Sequence, residues 1–361
     1  MEHLESSFAN PASSHSEGRR ARKTIDECSD SILQICGAQT TGTRPDRLIF
    51  TSGGTESNNL ALFGLLGPIT KSTRLIVSSI EHPSVSEAAQ RIRQLGAKVD
   101  LVEVNQQGIL SVGHLQELLK NPANLVSVMS VNNETGVVQP LEQIAEVCVE
   151  HEVPLHTDAV QAIGKSAFDF SALSLSAATL TPHKFHGPRG IGGLILKSGL
   201  EIQPCFFGGF QQLGTRPGTE DTALVAGFAA ALRLARDELA ERATRISGLR
   251  DLFEQALLGE LGDQIQVLGG NALRAPHVSN ISFVGLDRQA VVIALDLAGV
   301  CCSTGSACAS GSSELSPAIL AMALGEAVVR GAVRFSFSSL NEETEVRLAV
   351  QKVVQVVQKL A

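Results

Sequence analysis

Short apolar runs alternate with longer amphipathic stretches through the first two thirds of the chain. Strand-like runs at 48–51, 74–79, 99–104 and 125–131 are followed by helical patterns at 60–66, 84–95, 115–120 and 141–150. In the last of these, Leu141, Ile144, Ala145, Cys148 and Val149 share one face of a 3.6-residue period. Ahead of them, Ile25, Cys28, Ile32 and Ile35 or Cys36 mark a helix running to about Gly37. Further strands are expected at 154–158, from Ala177 to Leu180 and at 190–197. This alternation predicts an α/β fold with a mostly parallel central sheet covered on both faces. Right-handed crossovers then bring the strand C-termini to one edge, where open sheets of this kind bind ligands.

The pattern changes after a long helix that begins near Thr222. Leu224, Phe228, Leu232, Ala235 and Leu239 recur at spacings of three and four, and the helix is expected to continue towards Leu257 with a break near Ser247-Gly248. Beyond it, strands at 265–268, 278–284 and 333–337 and helices at 289–298, 317–324 and 342–359 predict a smaller α+β C-terminal domain. The expected division is a large α/β domain over 1–239 and a small domain over 240–361.

Composition narrows the class. The chain has 361 residues, 43% hydrophobic and 18% charged, which suits a globular protein of two domains. A net charge of −8 argues against a nucleic-acid binder, which would carry a basic face. No apolar run approaches a membrane-spanning length, and Met1-Glu2-His3-Leu4-Glu5 lacks the features of a signal peptide, so a cytoplasmic protein is expected. The seven cysteines include no CxxC pair and are odd in number, which suggests neither a metal site nor a disulfide framework.

The chemistry-bearing residues gather where strands end: Thr55, His82, Asn133, Asp158 and Lys184 each fall at or just after one. Ser52-Gly53-Gly54-Thr55 between a strand and a helix is either an anion cup or an ordinary turn capped by Thr55. Lys184 follows Thr181-Pro182-His183 and precedes the flexible Gly187-Pro188-Arg189-Gly190. It is either a solvated loop lysine or the Schiff-base anchor of an aldehyde cofactor, for which pyridoxal phosphate is the usual partner. That cofactor would need a carboxylate for its pyridine nitrogen, which Asp158 could supply. Gly54, Thr55, Thr181 and His183 could hold its phosphate, and His82 could stack on the ring, carry a proton or simply cap a helix. Arg216 and Arg334 are candidates for carboxylates or phosphates. Cys308 lies among small, polar, glycine-bearing residues, which predicts an exposed loop and a thiol available as a nucleophile.

These residues, taken in order, resemble the NifS/IscS cysteine desulfurases of the class V aminotransferase superfamily (fold-type I). The likeness includes Asn10-Pro11, Thr51-Ser52-Gly53-Gly54-Thr55-Glu56-Ser57-Asn58-Asn59, Glu81-His82, Asn132-Asn133-Glu134-Thr135-Gly136 and Asp158-Ala159-Val160-Gln161. It continues through His183-Lys184-Phe185-His186-Gly187-Pro188, Arg216-Pro217-Gly218-Thr219, Gly305-Ser306-Ala307-Cys308 and Arg334-Phe335-Ser336. The resemblance implies a homodimeric pyridoxal phosphate enzyme that converts L-cysteine to L-alanine and leaves a persulfide on Cys308, for delivery to an acceptor or Fe–S scaffold protein. Lys184 would be the Schiff-base lysine, Asp158 the partner of the pyridine nitrogen, Gln161 that of the ring hydroxyl, and His82 the stacking group. Gly54, Thr55, Thr181 and His183 would hold the phosphate, with Thr219 reaching in from the partner subunit, while Asn133 and Arg334 would hold the substrate carboxylate. Selenocysteine lyase or cysteine-sulfinate cleavage, and a non-catalytic paralogue that keeps the fold, are the alternative readings. The sequence departs from the pattern at Ala9, Pro182, Phe210 and Leu213, and roughly twenty residues of its opening, with an Asp-x-x-Ala-Thr-Thr-Pro segment, are not found ahead of Asn10.

Overall fold

In a computed structural model of the chain, residues 9–305 and 315–361 are described. The expected alternation folds into a seven-stranded sheet in the order β1-β7-β6-β5-β4-β2-β3. Its strands are β1 (Arg47–Thr51), β2 (Arg74–Ser78), β3 (Lys98–Val102), β4 (Leu125–Ser127), β5 (Leu155–Asp158), β6 (Ala177–Leu180) and β7 (Gly192–Leu196). The intervening helices are α1 (Ser16–Ile35), α2 (Gly54–Leu66), α3 (Pro83–Gln94), α4 (Val112–Leu119) and α5 (Leu141–Glu150), followed by α6 (Thr222–Asp237).

Strand alternation sorts the core into two layers. Leu48, Phe50, Ile76, Val126, Ala178 and Ile195 pack with residues of α1, α4, α5 and α6 on one face. Ile49, Leu75, Val77, Leu125, Ala177 and Leu194 pack with α2 and α3 on the other. A sheet buried on both faces explains why its strands read as continuous apolar runs.

One strand departs from expectation. β7 pairs antiparallel with both β6 and β1, so its N-terminal end lies beside the C-termini of the others. The connection 181–191 is too short to cross over through a covering helix, so the chain turns back directly. Gly192 lets the turn after β1 lie against β7, since a Cβ there would come within 2.6 Å of the Gly53 carbonyl carbon.

The second sheet is three-stranded, in the order β10-β9-β8, from β8 (Ile265–Val267), β9 (Val278–Phe283) and β10 (Ala332–Ser336). It packs against α7 (Leu239–Leu261), α8 (Arg288–Leu297) and α11 (Glu343–Leu360) through Phe253, Leu257, Phe283, Val291, Phe335 and Val353. The break expected at Ser247-Gly248 lies instead at Glu238, between α6 and α7. Ser247 stays helical, its hydroxyl bonded back to the Ala243 carbonyl at 2.7 Å. The helix expected at 317–324 ends earlier, as α9 (Pro317–Ala321), with Ala323 at φ 52° beyond it, and a second short helix that was not expected, α10 (Glu326–Arg330), follows. α2 begins at Gly54, earlier than its apolar pattern suggested, because Ser57 and Asn58 are buried in polar contacts rather than left in a loop.

Candidate active site

The C-terminal ends of β1, β2, β4, β5 and β6 each deliver one polar group to a common cavity of about 180 Å³. It is lined by Gly54, Thr55, His82, Asn133, Asp158, Gln161, Thr181, His183, Lys184 and Arg334, together with Asn58, Ser84, Met129 and Val160. A second cavity of about 250 Å³ shares Asn133, Gln161, His183, Lys184 and Arg334 with it and extends to Lys165, His277 and Arg242.

Asp158, the last residue of β5, lines the cavity and is almost fully buried. Asn58 of α2 donates to its Oδ2 at 2.7 Å, and the Val160 amide donates to its Oδ1 at 3.0 Å. Asn58 also donates to the Ser84 hydroxyl at 2.8 Å, so α2, α3 and β5 are tied together behind the cavity. A buried carboxylate held by neutral donors keeps its charge available to a cation placed beside it.

The start of α2 lines the same cavity through Gly54 and Thr55. Its N-cap is Gly53, which offers no side chain to the first-turn amides, so the positive end of the helix opens on the cavity beside Thr55. The Thr181 hydroxyl lies 3.0 Å from His183 Nδ1 and donates to the Ile191 carbonyl at 3.0 Å. Burial lowers the His183 pKa, with Lys184, Lys165 and Arg189 adding to the effect.

Lys184 is exposed on a 3-10 turn, Pro182–Phe185, that follows β6. Pro182 occupies the first position of that turn, where a missing N–H costs nothing, so the departure from the usual small residue is accommodated. Gly187 then closes the turn over Pro182, since a Cβ there would approach Pro182 Cβ to 2.6 Å. His82 caps α3, accepting from the Ser84 amide through Nδ1 at 3.1 Å. Burial lowers its pKa; Asp158 opposes this, while Lys184 and Arg334 reinforce it. Glu81 beside it is pushed up to about 8 by burial, against hydrogen bonds from Ser78 and the Met129 amide, with Asp158 adding to the rise.

The turn that carries Asn133 is pinned by Asn132, whose Oδ1 accepts from the amides of Glu134 and Thr135 at 3.0 and 2.9 Å. Arg334 of β10 donates to the Asn133 carbonyl at 3.1 Å, bringing the second sheet against this turn. Ser303 and Arg334 exchange backbone hydrogen bonds of 3.0 and 2.7 Å, and Gly305 lies against the Glu134 carboxylate.

Ten of the thirteen residues singled out from sequence therefore meet at one cavity. Thr219 is exposed and does not line it, and Cys308 lies outside the described residues. Arg216 makes a two-pronged ion pair with Glu56, at 2.8 and 3.2 Å, and is committed there. Burial raises the Glu56 pKa, but the hydrogen bonds from Arg216 and Ser52 outweigh it and hold the carboxyl below its ordinary value. Asn58, Lys165 and His277 were not marked by sequence reasoning. The only signal for Lys165 was its place four residues after Gln161 in a turn, and His277 had none.

The aminotransferase class-V family model matches residues 1–348. The cysteine desulfurase IscS of Dictyoglomus turgidum is 32% identical, with 99% of this chain and 89% of that protein covered. A cysteine desulfurase of Sinorhizobium fredii is 36% identical over 98% of this chain and 90% of its own. Among solved structures, a NifS-like protein from Rickettsia africae superposes with a TM-score of 0.89 at 29% identity, covering 98% of this chain and 93% of that one. The order of strand-end residues around the cavity and the match along nearly the whole chain agree: the chain belongs to the aminotransferase class-V family.

Proposed function

We propose that the protein is a pyridoxal phosphate-dependent cysteine desulfurase that converts L-cysteine to L-alanine and passes the sulfur to Cys308. The observation that carries this reading is the set of groups that line one cavity: a buried carboxylate, an open helix start and a lysine. That donor set fits the cofactor, whose pyridinium calls for Asp158 and whose phosphate calls for Gly54, Thr55, Thr181 and His183 at the positive end of α2. When bound, pyridoxal phosphate supplies an electron sink that weakens bonds at the substrate's Cα and, through it, the carbon–sulfur bond.

The chain's own residues do the rest. Lys184 anchors the cofactor, and its amine, once displaced by substrate, takes and returns a proton at Cα. Gln161 would meet the ring oxygen and His82 would lie against the ring. Arg334 and Asn133 take the substrate carboxylate, a task suited to a guanidinium fork. Cys308 follows Gly305 by three positions in the sequence, and Gly305 and Ser303 are held beside Glu134 and Arg334 at the cavity wall. L-Cysteine and the Cys308 thiol give L-alanine and a Cys308 persulfide; a C–S bond breaks, an S–S bond forms, and no outside oxidant or reductant enters.

The assembly in this reading is a homodimer, with Thr219 contributed across the interface, and the persulfide is consumed by a sulfur-acceptor or Fe–S scaffold protein. Residues 1–239 and 240–361 act as the cofactor-binding and the Cys308-bearing domains. No helix among the described residues is long and apolar enough to cross a membrane, and the six described cysteines are free. Free thiols suit a reducing compartment.

The test uses purified protein with added pyridoxal phosphate. The wild type should turn yellow and form alanine from cysteine. Lys184→Ala should lose the borohydride-reducible attachment of the cofactor. Cys308→Ser should keep the yellow colour while alanine formation falls by about a hundredfold or more. A folded but colourless wild type ends the proposal. Unchanged alanine formation in Cys308→Ser would shift the reading to a lyase without a persulfide carrier.

A further inference from the structure

Gln161 stands on the wall common to both cavities, and its side-chain amide is held from one side only. Lys165 Nζ donates to Gln161 Oε1 at 2.8 Å, and His277 Nε2 lies 2.9 Å from the same oxygen. Two donors fill the two lone pairs of that carbonyl. The amide nitrogen Nε2 makes no hydrogen bond among the described residues, and Gln161 shares the smaller cavity with Asp158, His82 and Lys184.

Both donors are themselves fixed. Gln161 and Lys165 lie on one side of a tight turn after β5, closed by Ile163 N to Ala159 O at 3.0 Å and Ser166 N to Ala162 O at 2.9 Å. Gly164 in that turn has φ 78°, and a Cβ there would meet the Phe185 ring at 2.8 Å, so the turn packs directly on the segment that carries Lys184. His277 precedes β9, and its Nδ1 is buried with no hydrogen-bond partner among the described residues. Burial holds His277 neutral, helped by Lys165, Lys184, Arg334 and Arg250, so it has one ring proton. With Nδ1 unpartnered, the tautomer that carries this proton on Nε2 is the one that can spend it on Gln161. Burial and then Lys184 lower the Lys165 pKa, while Asp158 opposes them. With Lys165 donating at 2.8 Å and His277 beside it, the amide that turns its Oε1 towards them is favoured over the turned-over one, which would aim its two N–H groups at these donors.

We propose that Lys165 and His277 are positioning residues that lock the Gln161 amide with its N–H groups facing the cofactor cavity, so that Gln161 donates to a deprotonated ring oxygen. The inference rests on the pyridoxal phosphate reading of that cavity and adds to it the two residues that give Gln161 its polarity. Without them the amide can present its oxygen instead, which repels the ring oxygen rather than binding it.

Titration of cofactor-free protein with pyridoxal phosphate tests this, reading the dissociation constant and the ratio of the two visible bands at one fixed pH. Lys165→Met should weaken binding by about tenfold, the size of one charge-assisted hydrogen bond, and change the band ratio. Lys165→Arg, which keeps a permanent donor, should stay within about twofold of the wild type. His277→Phe should move both readouts in the same direction as Lys165→Met. In a Gln161→Leu background, neither Lys165→Met nor His277→Phe should add anything further, because both act through Gln161. A Lys165→Met effect of equal size in that background would overturn the inference, since the lysine charge would then act on the cofactor directly. Unchanged readouts in both variants would overturn it as well. If Lys165→Met fails to fold, His277→Phe alone and with Gln161→Leu makes the same comparison. A wild type that binds no pyridoxal phosphate overturns the cofactor reading and this inference together, whereas binding unaffected by the variants removes this inference alone.

Discussion

At the scale of single residues, Asp158 and Arg334 at the cavity are held by hydrogen bonds to neutral partners. Asp158 shows this best: its two oxygens take one amide from Asn58 and one backbone N–H from Val160, and neither donor carries charge. The full negative charge is thus kept for a cation in the cavity, in a setting where burial makes it count for more than in water. Asp158→Ala should therefore lower the rate of alanine formation by about 10²–10³, the usual cost of removing one preorganised electrostatic partner. Turnover per bound cofactor checks it, and a loss below tenfold would sink the assignment. Asp158 was legible in the sequence because a polar residue closing an apolar strand is conspicuous. Asn58 was not, because a polar residue near a helix start reads as an ordinary first turn. Nothing local says that its partner lies a hundred residues further on.

Elements hold the site through contacts between strands as well as through the backbone ladder. His156 on β5 is fully buried, with Nδ1 at 2.8 Å from the Ser127 hydroxyl of β4 and Nε2 at 3.1 Å from the Thr179 hydroxyl of β6. Burial pushes its pKa down to about 3. The unfolded chain takes up the proton near pH 6.5, and the folded one does so only near 3. Stability from this group is therefore complete above pH 6.5 and is lost as the pH falls towards 3, by at most about 1.4 kcal/mol per pH unit. His156→Gln keeps a donor and an acceptor but has no proton to gain. Its unfolding free energy, measured in urea between pH 7 and 4.5, should fall less steeply than that of the wild type; equal slopes would remove His156 as the cause. The strands themselves were readable because each carries an apolar run on a sheet buried from both sides. The direction of β7 was not, because it depends on the length of the return from β6 rather than on any residue in the strand. The helix break was misplaced for a related reason. Ser247-Gly248 looks like a breaker, yet the serine hydroxyl satisfies the carbonyl beneath it, and the real change of direction at Glu238 carries no glycine or proline.

At the scale of the whole molecule, one loop among the described residues presents an apolar surface that its own chain leaves uncovered. Phe207, Phe210 and Leu213 are 88%, 79% and 66% exposed and lie within one loop. That loop is braced against the sheet edge by Gln212, which accepts from the Phe50 amide at 2.6 Å and donates to the Phe50 carbonyl at 2.8 Å, as a neighbouring strand would. To do so, Gln212 and Leu213 adopt φ of 49° and 58°, a left-handed conformation that is unfavourable for leucine. A strained backbone that holds apolar side chains outward is a net loss for an isolated subunit and a gain for one whose partner covers them. Thr219, exposed and outside its own cavity, lies a few residues further along the same segment. The homodimer proposed above thus has a specific face, which includes the two positions, Phe210 and Leu213, where the sequence departs from the family pattern. Phe207→Asp with Leu213→Asp should raise the dimer dissociation constant by at least about tenfold in sedimentation equilibrium, as loss of central apolar anchors does. Pyridoxal phosphate affinity should weaken in parallel, although neither residue lines the cavity that binds it, because Thr219 of the partner would be withdrawn. A variant that stays dimeric with unchanged cofactor affinity would move the interface elsewhere. A dimer lost with affinity intact would keep the face but strip Thr219 of its role.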